Sequence, residues 1–168
     1  MPTSAPAPSS TAPDVGLEVA SPAELDAAEA RIDAVLRRML AESPVVDAVE
    51  RGEPGERRWY VRIRGEEKDA STIWFTLRQR TLHHECYVLP APEEDHARFY
   101  EHLLRRNLRL FGVHFAIGAE DAVFLVGALA IDDVDDESLD RVVGTVYATV
   151  EQCFRPALRI GFASRFRG

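Results

Sequence analysis

Three consecutive stretches between residues 59 and 89 alternate apolar with polar side chains, and this period of two constrains the fold more than any other feature of the chain. In WYVRIR, Trp59, Val61 and Ile63 point one way and Tyr60, Arg62 and Arg64 the other. In TIWFTLR, Ile73, Phe75 and Leu77 oppose Trp74, Thr76 and Arg78. In LHHECYVL, Leu82, His84, Cys86 and Val88 oppose His83, Glu85, Tyr87 and Leu89. A polar loop at 65–71 and a short turn near 79–81 separate the segments, so antiparallel hairpins are the simplest connection. A further short strand is predicted at VVDAVE, residues 45–50.

One face of such a sheet is core. The other mixes charge with Tyr60, Trp74 and Tyr87, more aromatic area than a purely solvated face needs. Two arrangements fit. Either a helix or long loop covers the rings, or they form a groove or dimer surface, where amphipathic aromatics are enriched.

Helical periods flank the strands. Ser21-Pro22-Ala23-Glu24 has the form of a capping box with proline at the first helical position. Leu25, Ala28, Ile32, Val35, Leu36, Met39 and Leu40 then recur at helical spacing, and Ser43-Pro44 stops the run, predicting a helix over 22–42. After Pro90-Ala91-Pro92, the acids Glu93, Glu94 and Asp95 suit a helix N-terminus, with Phe99, Tyr100, Leu103, Leu104, Leu108 and Phe111 on one stripe and Gly112 as a left-handed stop. Val113, Phe115 and Ile117 return to a period of two, and AVFLVGALAI at 122–131 reads as a strand apolar on both faces. Gly127 in its middle marks a bulge or the close approach of another backbone. The last helix starts at Asp135, stapled by Val134 and Leu139, and is predicted to break or kink at Pro156, leaving Leu158, Ile160 and Phe162 to be covered. This order predicts an α+β fold, helices packed on an antiparallel sheet, α-βββ-α-ββ-α with an optional fourth leading strand.

Composition narrows the partners. A chain of 168 residues with 46% hydrophobic content can build one domain core. Its net charge of −8 repels phosphates, so nucleic acid is not an expected partner. No run of about 18 apolar residues exists, and the opening lacks the pattern of a signal peptide, so no membrane association is expected. Residues 1–20, rich in Pro, Ser and Ala, are expected to form a disordered tail ahead of a domain at 21–168. Cys86 and Cys153 form no CxxC pair and suit a reducing, cytoplasmic setting.

The candidate chemistry is sparse. Arg98, Arg105, Arg106 and Arg109 lie off the apolar stripe, with Glu94 and Glu101 each four residues ahead of an arginine, the pattern of a solvated helix face. His83, His84, Glu85 and Cys86 raise a metal or enzyme alternative, but the alternation sends His84 and Cys86 to one face and His83 and Glu85 to the other. The acids at 133–137 fit helix capping better than a calcium loop, since Ser138 stands where the loop glycine belongs. No phosphate-cradling or nucleophile-elbow motif appears. No catalytic residue, cofactor or metal is expected.

Taken together, WYVRI, LPAPEEDHARFYEHLLRRN, GVHFAIGAEDAVFLVGAL and LDRVVGTVYATVEQ resemble the YbjN family, in particular its actinobacterial members, over roughly residues 58–155. The family is similar in fold to the type III secretion chaperones. The resemblance implies an α+β domain that often pairs as a homodimer and holds extended segments of a protein partner without catalysis, with a regulatory role among the possibilities. It assigns no catalytic residues. The expected partner surface is the apolar surplus: Tyr60, Trp74 and Tyr87, with Leu158, Ile160 and Phe162.

Overall fold

The computed structural model describes residues 16–166. Helix α1 (Pro22–Glu42) begins where its cap sequence places it. The Glu24 N–H donates to Ser21 Oγ at 3.3 Å and the Ser21 N–H donates to the Glu24 carboxylate at 2.7 Å, so two orphan amides are satisfied. Ala28, Ile32, Val35, Leu36 and Met39 form the buried face; Leu40, expected with them, is largely exposed.

Six strands follow: β1 (Val46–Arg51), β2 (Arg58–Arg64), β3 (Ala70–Leu77), β4 (Thr81–Leu89), β5 (His114–Ile117) and β6 (Val123–Ala130). All pairings are antiparallel, in the order β1-β2-β3-β4-β6-β5. Residues 45–50 therefore do contribute a strand, and four strands precede helix α2 (His96–Asn107). This helix carries the chain from β4 to the outer edge of the sheet, and β6 returns between β5 and β4.

The period-two reading holds through the register. Trp59, Val61, Ile63, Ile73, Phe75, Leu82, Cys86 and Val88 are buried in one hydrophobic cluster with the inner faces of α1, α2 and helix α3 (Asp136–Gly161). Helices thus occupy one side of the sheet, a two-layer arrangement.

Two local expectations are corrected. Helix α2 ends at Asn107 because its side chain turns to the edge strand: Asn107 Oδ1 accepts from the Phe115 N–H at 2.7 Å and Nδ2 donates to the Phe115 carbonyl at 3.3 Å. The apolar stripe stops there. Phe99 and Leu103 are buried, while Leu104, Leu108 and Phe111 are 59%, 88% and 75% exposed. Asp95 is the N-cap of α2 and Glu93 and Glu94 stand just ahead of it, so the three acids lie at the helix N-terminus as expected. The Glu93 and Glu94 amides donate to the Gly161 carbonyl at 2.9 and 3.1 Å, tying this loop to the end of α3.

The second correction is Pro156, which lies inside α3 without ending it. Proline in a helix interior costs about 3 kcal/mol. The helix continues because Cys153, Ala157 and Gly161 are buried against the core and its last carbonyl is held by the 93–94 amides. At its start the Ser138 N–H donates to the Asp135 carboxylate at 2.8 Å, and Val134 and Leu139 are both buried, as the capping and staple pattern predicts.

Of the expected N-terminal tail, residues 1–15 lie outside the described residues. The Ala20 N–H donates to the Gln79 carbonyl at 2.8 Å. No helix among the described residues is long and apolar enough to cross a membrane.

Candidate functional site

The helix-free side of the sheet is where the alternation places Tyr60, Trp74 and Tyr87. Register brings Glu50, Tyr60, Trp74, Glu85, Val126 and His114 into one row across all six strands. The Tyr60 and Trp74 rings meet edge to face, 5.4 Å between centroids at 89°. Tyr87 faces Phe124 across the β4–β6 pair in a similar contact, 5.6 Å at 81°. Such pairs are worth about 0.5–1.5 kcal/mol beyond area burial and hold the rings in fixed orientations.

None of these rings belongs to the main hydrophobic cluster. Phe124 is buried beneath Tyr87 and the turn at Gly118, whereas Tyr60, Trp74 and Tyr87 are each half-buried. Among the described residues, the ring–ring contacts of Tyr60, Trp74 and Tyr87 are to strand residues and not to a helix. Lys68 reaches its rim: Nζ donates to the Tyr87 and Val88 carbonyls, both at 3.0 Å, and stands 5.1 Å from the Tyr87 ring centroid. Burial pushes the Lys68 amine below its usual range.

At the centre of the row sits Glu85. Burial pushes its carboxyl up to about 7, against the opposing pull of Arg58 and Arg78. A carboxyl titrating near neutrality on an aromatic surface is a group whose charge a partner can change. Its signal lies in desolvation by burial in the sheet, not in a motif of its own sequence.

The C-terminal trio does not extend this face. Phe162 is buried, its ring 6.3 Å from that of Phe99, and Leu158 and Ile160 are half-buried against the core within α3. All three therefore lie on the helical side of the sheet. The cause is the continuation of α3 through Pro156, which folds the segment inward.

The HHEC stretch is divided by the strand as expected. His84 is buried and donates from Nε2 to the Gly112 carbonyl at 2.9 Å, while its Nδ1 is buried without a partner, which fixes a neutral imidazole. Burial pushes its pKa down to about 4. Cys86 and Cys153 are buried, and desolvation pushes their thiols up to about 11 and about 12, so neither forms a nucleophilic thiolate near neutrality. No group of three or more metal-ligating side chains converges among the described residues. The arrangement that the metal or enzyme alternative requires, His83 through Cys86 in one cluster, is not formed.

Among the arginines, Arg105 pairs with Glu101 at 2.6 Å as the spacing predicts. Glu94 lies ahead of the helix and its carboxylate accepts from the Ser164 N–H at 2.5 Å.

The chain is similar to several known proteins. Residues 31–159 match the family model of YbjN, described as "Putative bacterial sensory transduction regulator". An uncharacterized protein of Mycobacterium leprae is 34% identical over 110 residues, covering 66% of this chain and 60% of the relative. One from Mycobacterium tuberculosis is 34% identical over 104 residues, covering 62% and 57%. The chain thus spans about 60% of the length of these relatives. Among solved structures, the Yersinia pestis type III secretion chaperone SycH, in complex with a stable fragment of YscM2, aligns with 76% of this chain and 97% of its own at 16% identity and a TM-score of 0.47. With the family pattern matched from α1 through α3, this chain belongs to the YbjN family.

Proposed function

We propose that this chain is a non-enzymatic, chaperone-like binding module of the cytoplasm that holds an extended segment of a protein partner on the open face of its sheet. The observation that carries the reading is the half-exposed set Tyr60, Trp74 and Tyr87, which lies outside the main hydrophobic cluster of the described residues. Rigid amphipathic rings supply contact area at low conformational cost, and fixed edge-to-face pairs keep that area preorganised. The mixed surroundings, Arg62, Thr72, Thr76 and Glu85, offer hydrogen bonds to a segment's polar groups.

The reading also holds that the protein acts as a homodimer through the outer edge of the sheet. Strand β5 is a four-residue edge, and Ile117 and Leu104 beside it are 56% and 59% exposed. With the Phe115 backbone groups already taken by Asn107, the exposed apolar side chains beside this short edge are what a second copy would pack on.

Selection of displayed peptides on the immobilised full chain tests the first part. Enriched peptides are expected to bind with micromolar affinity and to lose about tenfold or more with Trp74→Ala or Tyr87→Ala, the effect of truncating an interface anchor. Peptides that bind both variants unchanged, or no enrichment, would overturn it. Sedimentation tests the second: a dimer at micromolar concentration that Ile117→Asp converts to monomer is expected, and a monomeric parent protein overturns it.

A further inference from the structure

On the opposite side of the sheet, the C-terminal half of α2 and the middle of α3 enclose an open cavity of ≈ 590 Å³. His102, Arg105 and Arg106, spaced i, i+3 and i+4, share one side of α2, and Arg109 joins them from the turn after it. Thr149 and Gln152 complete the polar lining from α3. No carboxylate lines it.

The charge there is not balanced internally. Among the described residues, of these four only Arg105 has an acidic partner, Glu101. Arg106 and Arg109 form no ion pair among the described residues. Two polar atoms, Arg106 Nε and His102 Nε2, are shielded from solvent without a hydrogen-bond partner. A shielded, unsatisfied guanidinium nitrogen costs about 1–3 kcal/mol or more when nothing accepts its proton, so folding leaves this site short of an acceptor. The unbalanced stretch occurs in a chain of net charge −8, which makes it a local feature and not part of a general basic surface.

From this convergence we infer that the α2–α3 cavity binds a soluble organic phosphate carrying more than one negative charge. Guanidinium forks match phosphate oxygens two at a time, and the Thr149 hydroxyl and Gln152 amide supply neutral donors. Leu108 and Leu110 on the rim offer apolar surface to the rest of such a molecule. The volume falls within the range of about 300–1,000 Å³ typical of small-molecule sites. A long polyanion is disfavoured by the chain's net charge of −8, which a compact ligand meets over a smaller area. Burial, together with Arg106 and Arg98, holds the His102 imidazole below its usual range, so it enters the site mostly uncharged near neutrality.

The experiment titrates the full chain with pyrophosphate and with ATP at constant ionic strength, reading heat and melting temperature. Saturable binding is expected, with a melting temperature that rises with ligand concentration. Arg106→Gln and Arg109→Gln should each weaken it about tenfold or more, the loss of one charge-assisted hydrogen bond. Arg64→Gln, which removes the same charge from β2, should leave it within about twofold. Arg109 is exposed, so its variant remains informative even where Arg106→Gln lowers stability. Absence of saturable binding to both probes at millimolar concentration overturns the inference, as does equal weakening by Arg64→Gln and Arg109→Gln. Sedimentation with phosphatidic-acid vesicles separates the sources: binding to the vesicles but to neither soluble probe would also overturn it.

Discussion

Gly127 of β6 lies directly beneath the carbonyl of Gly112: a Cβ built at position 127 would fall within 3.0 Å of the Gly112 oxygen and of the His84 Nε2. That carbonyl is also the acceptor for the His84 Nε2–H. The bare backbone at 127 is therefore what lets the turn after α2 dock on the sheet and cap a buried imidazole. Gly127→Ala is expected to destabilise the protein by about 1–3 kcal/mol, the usual range for overpacking a core, because the atom it meets is backbone and cannot swing aside. Gly112→Ala makes a useful contrast. Its Cβ would meet nothing within 4 Å, but φ is +73°, so only the conformational cost of about 1–2 kcal/mol applies. Urea denaturation measures both, and amide exchange in residues 108–113 should accelerate in the first variant.

A second close approach joins α3 to the β2–β3 hairpin. The Glu151 carboxylate accepts from the Glu66 and Glu67 amides at 2.9 and 3.0 Å, and the Lys68 amide points to it at 3.5 Å. Successive amides converging on one anion form a nest, satisfied here by a side chain 83 or more residues away. Glu151→Ala should cost about 1–3 kcal/mol by stranding these donors, with exchange protection lost first at 66–68. Glu151→Gln, which keeps one acceptor oxygen, should fall between. Unchanged exchange at these amides in Glu151→Ala would contradict the contact.

Much of this was legible beforehand, and the reasons for what was not are physical. Alternation in 59–89 settled which side chains enter the core, because a strand has only two faces. Gly127 announced a close approach, though not to what. The end of α2 was missed because the decisive contact is a side-chain imitation of strand pairing: Asn107 bonds both backbone groups of Phe115, eight residues on. The persistence of α3 past Pro156 depends on the 93–94 amides, more than sixty residues earlier in the chain. The aromatic face was visible in the sequence as Tyr60, Trp74 and Tyr87; the contribution of Phe124 and Glu85 required the β4–β6 register. The arginine cavity was hidden because opposite charges four residues apart look neutralised, whereas only the Glu101–Arg105 pair meets that reading outright.

Acid should destabilise the fold through His84. Its pKa lies near 4 when folded, against 6.5 for an unburied imidazole. Between these values the unfolded chain binds the extra proton, so stability falls as pH drops from 6.5 and levels off below about 4. The full effect is about 3 kcal/mol, since each pH unit of differential protonation is worth about 1.4 kcal/mol. His83 and His114, whose charges push in the same direction, are the neighbours that act on it. His84→Gln retains a donor for the Gly112 carbonyl and should flatten stability between pH 4 and 6.5. A variant with the parent's slope would locate the acid sensitivity elsewhere.

Glu85 acts with the opposite sign, and its titration reports on the partner. Its folded pKa of about 7 exceeds the ordinary 4.5, so the folded protein holds the extra proton between these values and this contribution to stability is lost as pH rises through 7. Glu85→Gln should remove that loss while leaving the His84-dependent slope. Binding adds a sharper consequence. A segment laid over Trp74 and Val126 strips water from the carboxyl between them, which raises its pKa further. Near pH 7.5 the complex should then take up a fraction of a proton, and affinity should rise as pH falls towards 7. Calorimetry in buffers of different ionisation enthalpy measures that uptake directly, and Glu85→Gln should abolish it. A partner that places a lysine or arginine against Glu85 instead stabilises the carboxylate, so protons are released and the pH dependence reverses. Peptide binding with no proton exchange in the parent protein would put the bound segment away from the centre of the sheet, against the site assigned to it here.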